Sequence, residues 1–206
     1  MNSEDVYRGK LINDLCETYG LSRVLELGVD KGFTWNEISC VDKIGVDANP
    51  NILNYDLRFK DKIQITTTDS FFQNNNSEFD LVFIDACHEK GQVYKDFKNS
   101  FECLSSNGII LFHDVFPRSE AGTKLSGHGN VYQLWMEMYN IYELFTYIDN
   151  YNDDSVGIFY KEKNPEWKDI NSMNNTFQLF WENRDKYVYD ICENENYKEK
   201  PWLKKY

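Results

Sequence analysis

Two short segments of this 206-residue chain concentrate residue types suited to acid–base or metal chemistry: Asp85-Ala86-Cys87-His88 and His113-Asp114. Each leaves an apolar run, Phe79-Asp80-Leu81-Val82-Phe83-Ile84 in one case and Gly108-Ile109-Ile110-Leu111-Phe112 in the other. Such runs read as buried parallel strands. If the two strands are neighbours, Asp85 and Asp114 meet at one sheet edge. Two carboxylates that close repel unless a proton or a cation lies between them. A divalent ion with oxygen ligands and open positions, Mg²⁺ or Mn²⁺, satisfies that need. It would hold a substrate hydroxyl and lower its pKa, and His88, three residues past Asp85, is placed to take the proton. His113 is a candidate third ligand, and imidazole favours Mn²⁺, Fe²⁺ or Zn²⁺ over Mg²⁺. The plainer alternatives are that His88 caps the helix beginning near Glu89 and that His113 ends its strand in a hydrogen bond. His128, in Gly127-His128-Gly129, reads as a loop residue, and Cys87 as packing.

A second constellation lies earlier in the chain. Glu26-Leu27-Gly28-Val29-Asp30-Lys31-Gly32 stands where a short strand over 24–28 runs into a glycine-containing turn and a helix to about Cys40. Glycine at such a turn lets a ligand approach bare backbone near a helix N-terminus. The spacing is not G-x-G-x-x-G, and a carboxylate at the first position suits a cationic ligand group better than a pyrophosphate. Asp47 closes the next strand about twenty residues on, where an acid can accept both hydroxyls of a ribose or can cap the helix beginning at Pro50. Asp69-Ser70 follows a third strand in the same row, as an acceptor for an adenine amino group or as a helix cap.

The elements that must position these residues alternate in helix-like and strand-like pattern, which predicts an α/β domain with a mostly parallel sheet. Leu11, Ile12 and Leu15 mark one face of a helix over 3–19. Strands are expected at 24–28, 44–47, 63–66, 79–85 and 108–112, and helices at 90–104 and 131–142. Residues 115–130 form a loop long enough to suggest a lid. Two strands at 144–149 and 155–161 flank Asn150-Tyr151-Asn152-Asp153-Asp154 as an antiparallel hairpin. The domain is drawn over 1–162. Residues 163–206 form a charged, aromatic extension, helical between about 165 and 192, that packs on the domain or on a second copy of the chain.

Composition removes several function classes. Lys+Arg 22 against Asp+Glu 34 gives a net charge of -12, which repels phosphate backbones and anionic lipid. No run reaches the length of a membrane span, and MNSEDVYRGK lacks the apolar core of a secretory signal. The five cysteines are scattered without a C-x-x-C pair, as in a reducing compartment. The expectation is a cytoplasmic protein with a small-molecule partner, and neither nucleic acid nor membrane.

Glu26-x-Gly28-x-x-x-Gly32, Asp47, Asp69 and the Phe79–Asp85 strand together resemble the successive motifs of class I S-adenosylmethionine-dependent methyltransferases. The closing hairpin is similar to that fold's reversed last strand. The resemblance covers residues 20–161 and implies a Rossmann-like, seven-stranded sheet with an antiparallel last strand and flanking helices. It also implies a cofactor site of Glu26, Gly28, Gly32, Phe33, Thr34, Asp47, Asp69, Ser70 and Asp85. Ile84-Asp85-Ala86-Cys87-His88 and Phe112-His113-Asp114-Val115 look closest to metal-dependent O-methyltransferases acting on macrolide sugars. That implies metal ligands Asp85 and Asp114, with His88 as base and a sugar or glycan hydroxyl as acceptor. Val115 stands where the catechol-type branch has Asn, and His113 where the macrolide branch has Glu. The competing reading is a silent domain that keeps the fold as a binding or scaffold module. A nicotinamide-dependent oxidoreductase would need G-x-G-x-x-G and Tyr-x-x-x-Lys, and neither occurs.

Overall fold

The computed structural model describes residues 6–125, 127–149, 154–170, 175–187 and 190–192. Among the described residues, eight strands form one sheet: β1 (Arg23–Leu27), β2 (Asp42–Asp47), β3 (Ile63–Ile65), β4 (Phe79–Ile84), β5 (Leu104–His113), β6 (Leu144–Asp149), β7 (Asp154–Tyr160) and β8 (Asp190–Cys192). Their order is β3-β2-β1-β4-β5-β7-β6-β8. Strands β1 to β7 are the expected seven, with β7 alone antiparallel to its neighbours, and β8 adds a short parallel edge beside β6. The chain order reverses between β1 and β4, the switch point where open α/β sheets bind ligands at strand carboxyl ends.

Alternation along the strands builds a layer on each side of the sheet. Val82, Ile84, Ile110 and Phe112 face α4 (Lys90–Glu102) and α5 (Val131–Tyr139). Leu81, Phe83, Ile109 and Leu111 face α1 (Val6–Tyr19), which contributes Leu11, Ile12 and Leu15. Two shorter helices, α2 (Phe33–Glu37) and α3 (Thr68–Asn74), follow β1 and β3. Thr67 caps α3 by accepting from the Ser70 N–H at 3.2 Å.

Within its described residues the extension is less helical than expected. It holds α6 (Phe177–Glu182), α7 (Arg184–Tyr187) and β8, and residues 163–170 carry no helix beyond a short turn at Lys161–Lys163. Aromatic spacing alone does not distinguish a helix from a strap whose rings fill gaps along a core. Trp167 packs against Phe97 and Phe101, Phe180 against Phe116 and Tyr132, and Tyr187 against Tyr139. The hairpin connection expected over 150–154 lies, but for Asp154, outside the described residues. Among the described residues, no helix is long and apolar enough to cross a membrane.

Candidate active site

The β1–α2 turn is held open by its backbone. Gly28 has φ 90°, and a β-carbon there would overlap the Asp85 carbonyl. Only glycine allows β1 and β4 to end so close together. Asp47 braces the same turn: Oδ2 accepts from Val29 N at 3.0 Å and Asp30 N at 2.9 Å, and Oδ1 from Asn49 N at 2.8 Å. The far end is braced by Lys43, buried on β2, whose Nζ donates to Trp35 O at 2.6 Å and Ile38 O at 2.8 Å. Burial is the main cause that brings the Lys43 pKa down to about 8.

Two adjoining clefts open along these strand ends. One, of 380 Å³, is lined by Gly28, Asp47, Asn49, Thr66–Asp69, Cys87 and Gln92, among others. The other, of 420 Å³, runs from Gly28, Asp47 and Asn49 to Arg8, Asp85, His88 and His113. Gly28, Asp47, Asn49 and Ala86 belong to both, so the two make one elongated groove. At one end Gln92 donates to Asp69 Oδ1 at 3.0 Å, fixing that carboxylate in the wall.

At the other end stands the predicted constellation. His113 Nδ1 lies 2.9 Å from Asp85 Oδ1 and 3.3 Å from Asp114 Oδ2. His88 Nε2 lies 3.6 Å from Asp85 Oδ1 and 3.5 Å from Asp114 Oδ2. Consecutive strand residues point to opposite faces, so His113 and Asp114 would ordinarily diverge. Asp114 avoids this with φ 61°, a left-handed turn that few residues other than Gly, Asn and Asp tolerate. The strain gathers both side chains on one side.

The charges are mutually sustaining. Burial pushes Asp85 up, but the charge and hydrogen bond of His113, with His88 and Arg8, bring it down to about 2. Asp114 behaves alike: burial opposes ionisation, and His113 and His128 hold it far below the usual carboxylate range. The hydrogen bond to Asp85 raises the His88 pKa above 6.5, burial opposes, and the charge of Asp114 adds to the rise. The Gly127 carbonyl accepts from His88 Nδ1, so the neutral ring keeps its lone pair on Nε2, facing the carboxylates.

Four donor atoms, one each from Asp85, His88, His113 and Asp114, lie within 4.8 Å of one another. Metal–ligand bonds of about 2.1 Å separate neighbouring ligand atoms by about 3.0–3.5 Å, close to the observed pairs. Two imidazoles and two carboxylates suit a borderline divalent ion such as Mn²⁺, Fe²⁺ or Zn²⁺, and the residues present fit such an ion. The carbonyl behind His88 is the outer partner that a metal-bound imidazole usually has.

Several of the residues expected to meet a cofactor do not line the groove. Glu26 is 1% exposed and lies beneath the turn, where burial, aided by the charge of Asp85, raises its pKa well above the usual range. Gly32 turns the chain over Leu57, Phe33 points to solvent, and Thr34 is buried. None of these four lines the groove, because α2 is short and turns away after one glycine-limited bend. Ser70 lines a separate cleft with Asn74 and Ser77, since α3 starts at Thr68 and rotates the next turn outward.

Two residues were missed. His128 is held in place: its Nδ1 is 2.5 Å from Asp114 Oδ1, and its flanking glycines let the loop backbone lie against His88. The Gly-His-Gly sequence carried that signal. Arg8 reaches across from α1 to Asp85 Oδ2 at 3.3 Å and His113 Nε2 at 3.2 Å. It is a charged residue in helical register with the buried Leu11, Ile12 and Leu15, which marks it as facing the sheet.

Residues 25–115 match the family described as "Methyltransferase domain". None of the curated proteins compared matches the chain. Its fold is that of solved methyltransferases. The O-methyltransferase TomG from Streptomyces achromogenes, in complex with SAM, aligns at TM-score 0.56 and 13% identity over 74% of this chain and 78% of that one. The Bacillus cereus O-methyltransferase in complex with SAH gives 0.53 and 13%, covering 78% and 82%. The N-methyltransferase NodS from Bradyrhizobium japonicum gives 0.55 and 17%, covering 77% and 97%. In fold, and in sequence over residues 25–115, the chain resembles class I S-adenosylmethionine-dependent methyltransferases.

Proposed function

We propose that this methyltransferase-fold chain binds S-adenosylmethionine in the groove along β1, β2 and β4 and methylates a hydroxyl of a small polar acceptor, a sugar or glycan in first place. The observation that carries the reading is the groove's continuity: one channel joins Asp69, Asp47 and Gly28 to the carboxylate–imidazole cluster. Adenine fits the Thr66–Asp69 and Gln92 end. The ribose then falls at Asp47, whose oxygens are already oriented by the β1–α2 turn. The methionine portion reaches Gly28 and Asp85.

Bound S-adenosylmethionine supplies an electrophilic methyl group on a sulfonium sulfur. His88 Nε2 accepts the proton of the acceptor hydroxyl, so that the oxygen forms the new C–O bond as the C–S bond breaks, leaving S-adenosylhomocysteine. The hydrogen bond to Gly127 keeps that nitrogen unprotonated in the neutral ring and aimed inward. Asp85 and Asp114 stabilise the imidazolium that results. Asp85, His113 and Asp114 would hold a divalent ion, which would lower the pKa of the acceptor hydroxyl. NodS, an N-methyltransferase of the same fold, makes the acceptor atom a property of the site and not of the sheet.

Calorimetry with S-adenosylhomocysteine in chelator, then with Mn²⁺, tests the reading. Micromolar binding lost in Asp47→Ala is the expected result. Failure of S-adenosylhomocysteine to bind would leave the fold as a silent scaffold.

A further inference from the structure

We infer that Arg8 is a displaceable counter-cation that excludes a divalent ion from the Asp85–His113–Asp114 cluster until it withdraws. A guanidinium donates hydrogen bonds and accepts none. In the neutral ring, His113 Nε2, 3.2 Å from Arg8 Nη1, is therefore the nitrogen that bears the lone pair. The proton then sits on Nδ1, which donates to Asp85 Oδ1 at 2.9 Å. Yet Nδ1 is the His113 atom that faces both carboxylates, and so the atom an ion between them would need. A protonated nitrogen ligates nothing.

The two imidazoles therefore differ. His88 presents its lone pair inward because a carbonyl holds its other nitrogen. His113 presents a proton inward because a cation holds its other nitrogen. For an ion to bind, the His113 proton must move from Nδ1 to Nε2, and Nε2–H would then oppose the guanidinium donor. Arg8 also contributes positive charge 3.3 Å from Asp85 Oδ2, part of what an ion would otherwise provide. Arg8 and the ion are thus alternative occupants. Arg8 lines the groove beside Asp85, with its side chain 15% exposed.

This inference rests on the methyltransferase reading only for what the ion would serve, and S-adenosylhomocysteine calorimetry in chelator tests that reading separately. The direct test is Mn²⁺ titration by electron paramagnetic resonance of wild type, Arg8→Ala and Arg8→Gln. It is paired with ¹⁵N-histidine NMR of the metal-free proteins. Expected are Mn²⁺ binding at least about tenfold tighter in both variants and His113 protonated at Nδ1 in metal-free wild type. Arg8→Gln removes the charge and, being shorter, the donor opposite Nε2, while keeping a polar side chain should Arg8→Ala fold poorly. Equal or weaker Mn²⁺ binding in the folded variants, no Mn²⁺ binding in any of them, or a metal-free wild-type His113 protonated at Nε2 overturns the inference.

Discussion

His88 and Asp114 leave different strands, yet Nε2 of one stands 3.5 Å from Oδ2 of the other, and the same loop holds both. Gly127 binds the back of the imidazole, and His128 binds the outer oxygen of the carboxylate. The 115–130 loop therefore acts as part of the site's frame.

The raised pKa of His88 fixes a sign. The protonated ring is favoured in the folded protein, so its stabilisation is fully present below about 6.5 and is lost as pH rises through the higher folded value. A base must be neutral, so the metal-free rate climbs with pH through that same raised value. Asp114→Asn should lower the His88 midpoint in an NMR titration and move the rate limb to lower pH. An unchanged midpoint would remove Asp114 as a cause.

Asp47→Asn replaces an oxygen that accepts from both Val29 N and Asp30 N with an uncharged amide. Charged hydrogen bonds of this kind contribute about 1.5–3 kcal/mol each. The Kd for S-adenosylhomocysteine should rise about 10–100-fold by calorimetry, with the melting temperature lowered as the turn loosens.

Gly129→Ala separates the loop from the fold. Gly129 has φ 60°, and a β-carbon would overlap the backbone of His88. The loop must shift away from the base, and small misplacements of catalytic groups cost about 100-fold. We expect kcat to fall about 10–100-fold while thermal melting moves by less than about 3 °C, because the core is untouched.

Trp167→Ala tests whether the extension belongs to the folded unit. Its ring lies 5.4 Å from Phe97 and 5.8 Å from Phe101, but it is only partly buried. Urea unfolding should show a loss of about 2–3 kcal/mol, below the 3–5 typical of a fully buried ring. A loss near zero would make the strap an ornament.

The strands were readable because apolar runs such as Phe79–Ile84 leave little else for a chain to do, and their sequential carboxyl ends named Asp47, Asp69, Asp85 and Asp114. Side-chain direction was not readable. Ser70 follows Asp69 by one residue yet lies in another cleft, since one helical step turns the chain by about 100°. Spacing along β1 places Glu26 at the strand end but does not reveal that its side chain is buried. Arg8 and His128 lie 77 and 14 residues from the aspartates they meet. Only the packing of α1 and the return of the loop bring them there.

The sheet's two borders have a consequence for association. Among the described residues, the outermost strands, β3 and β8, are three residues each. A bare sheet border invites a foreign strand to continue its ladder, and short borders are one of the devices that discourage it. So brief a run of backbone gives an incoming chain little to register against. A second copy that meets the sheet along β3 therefore finds little backbone with which to extend the ladder.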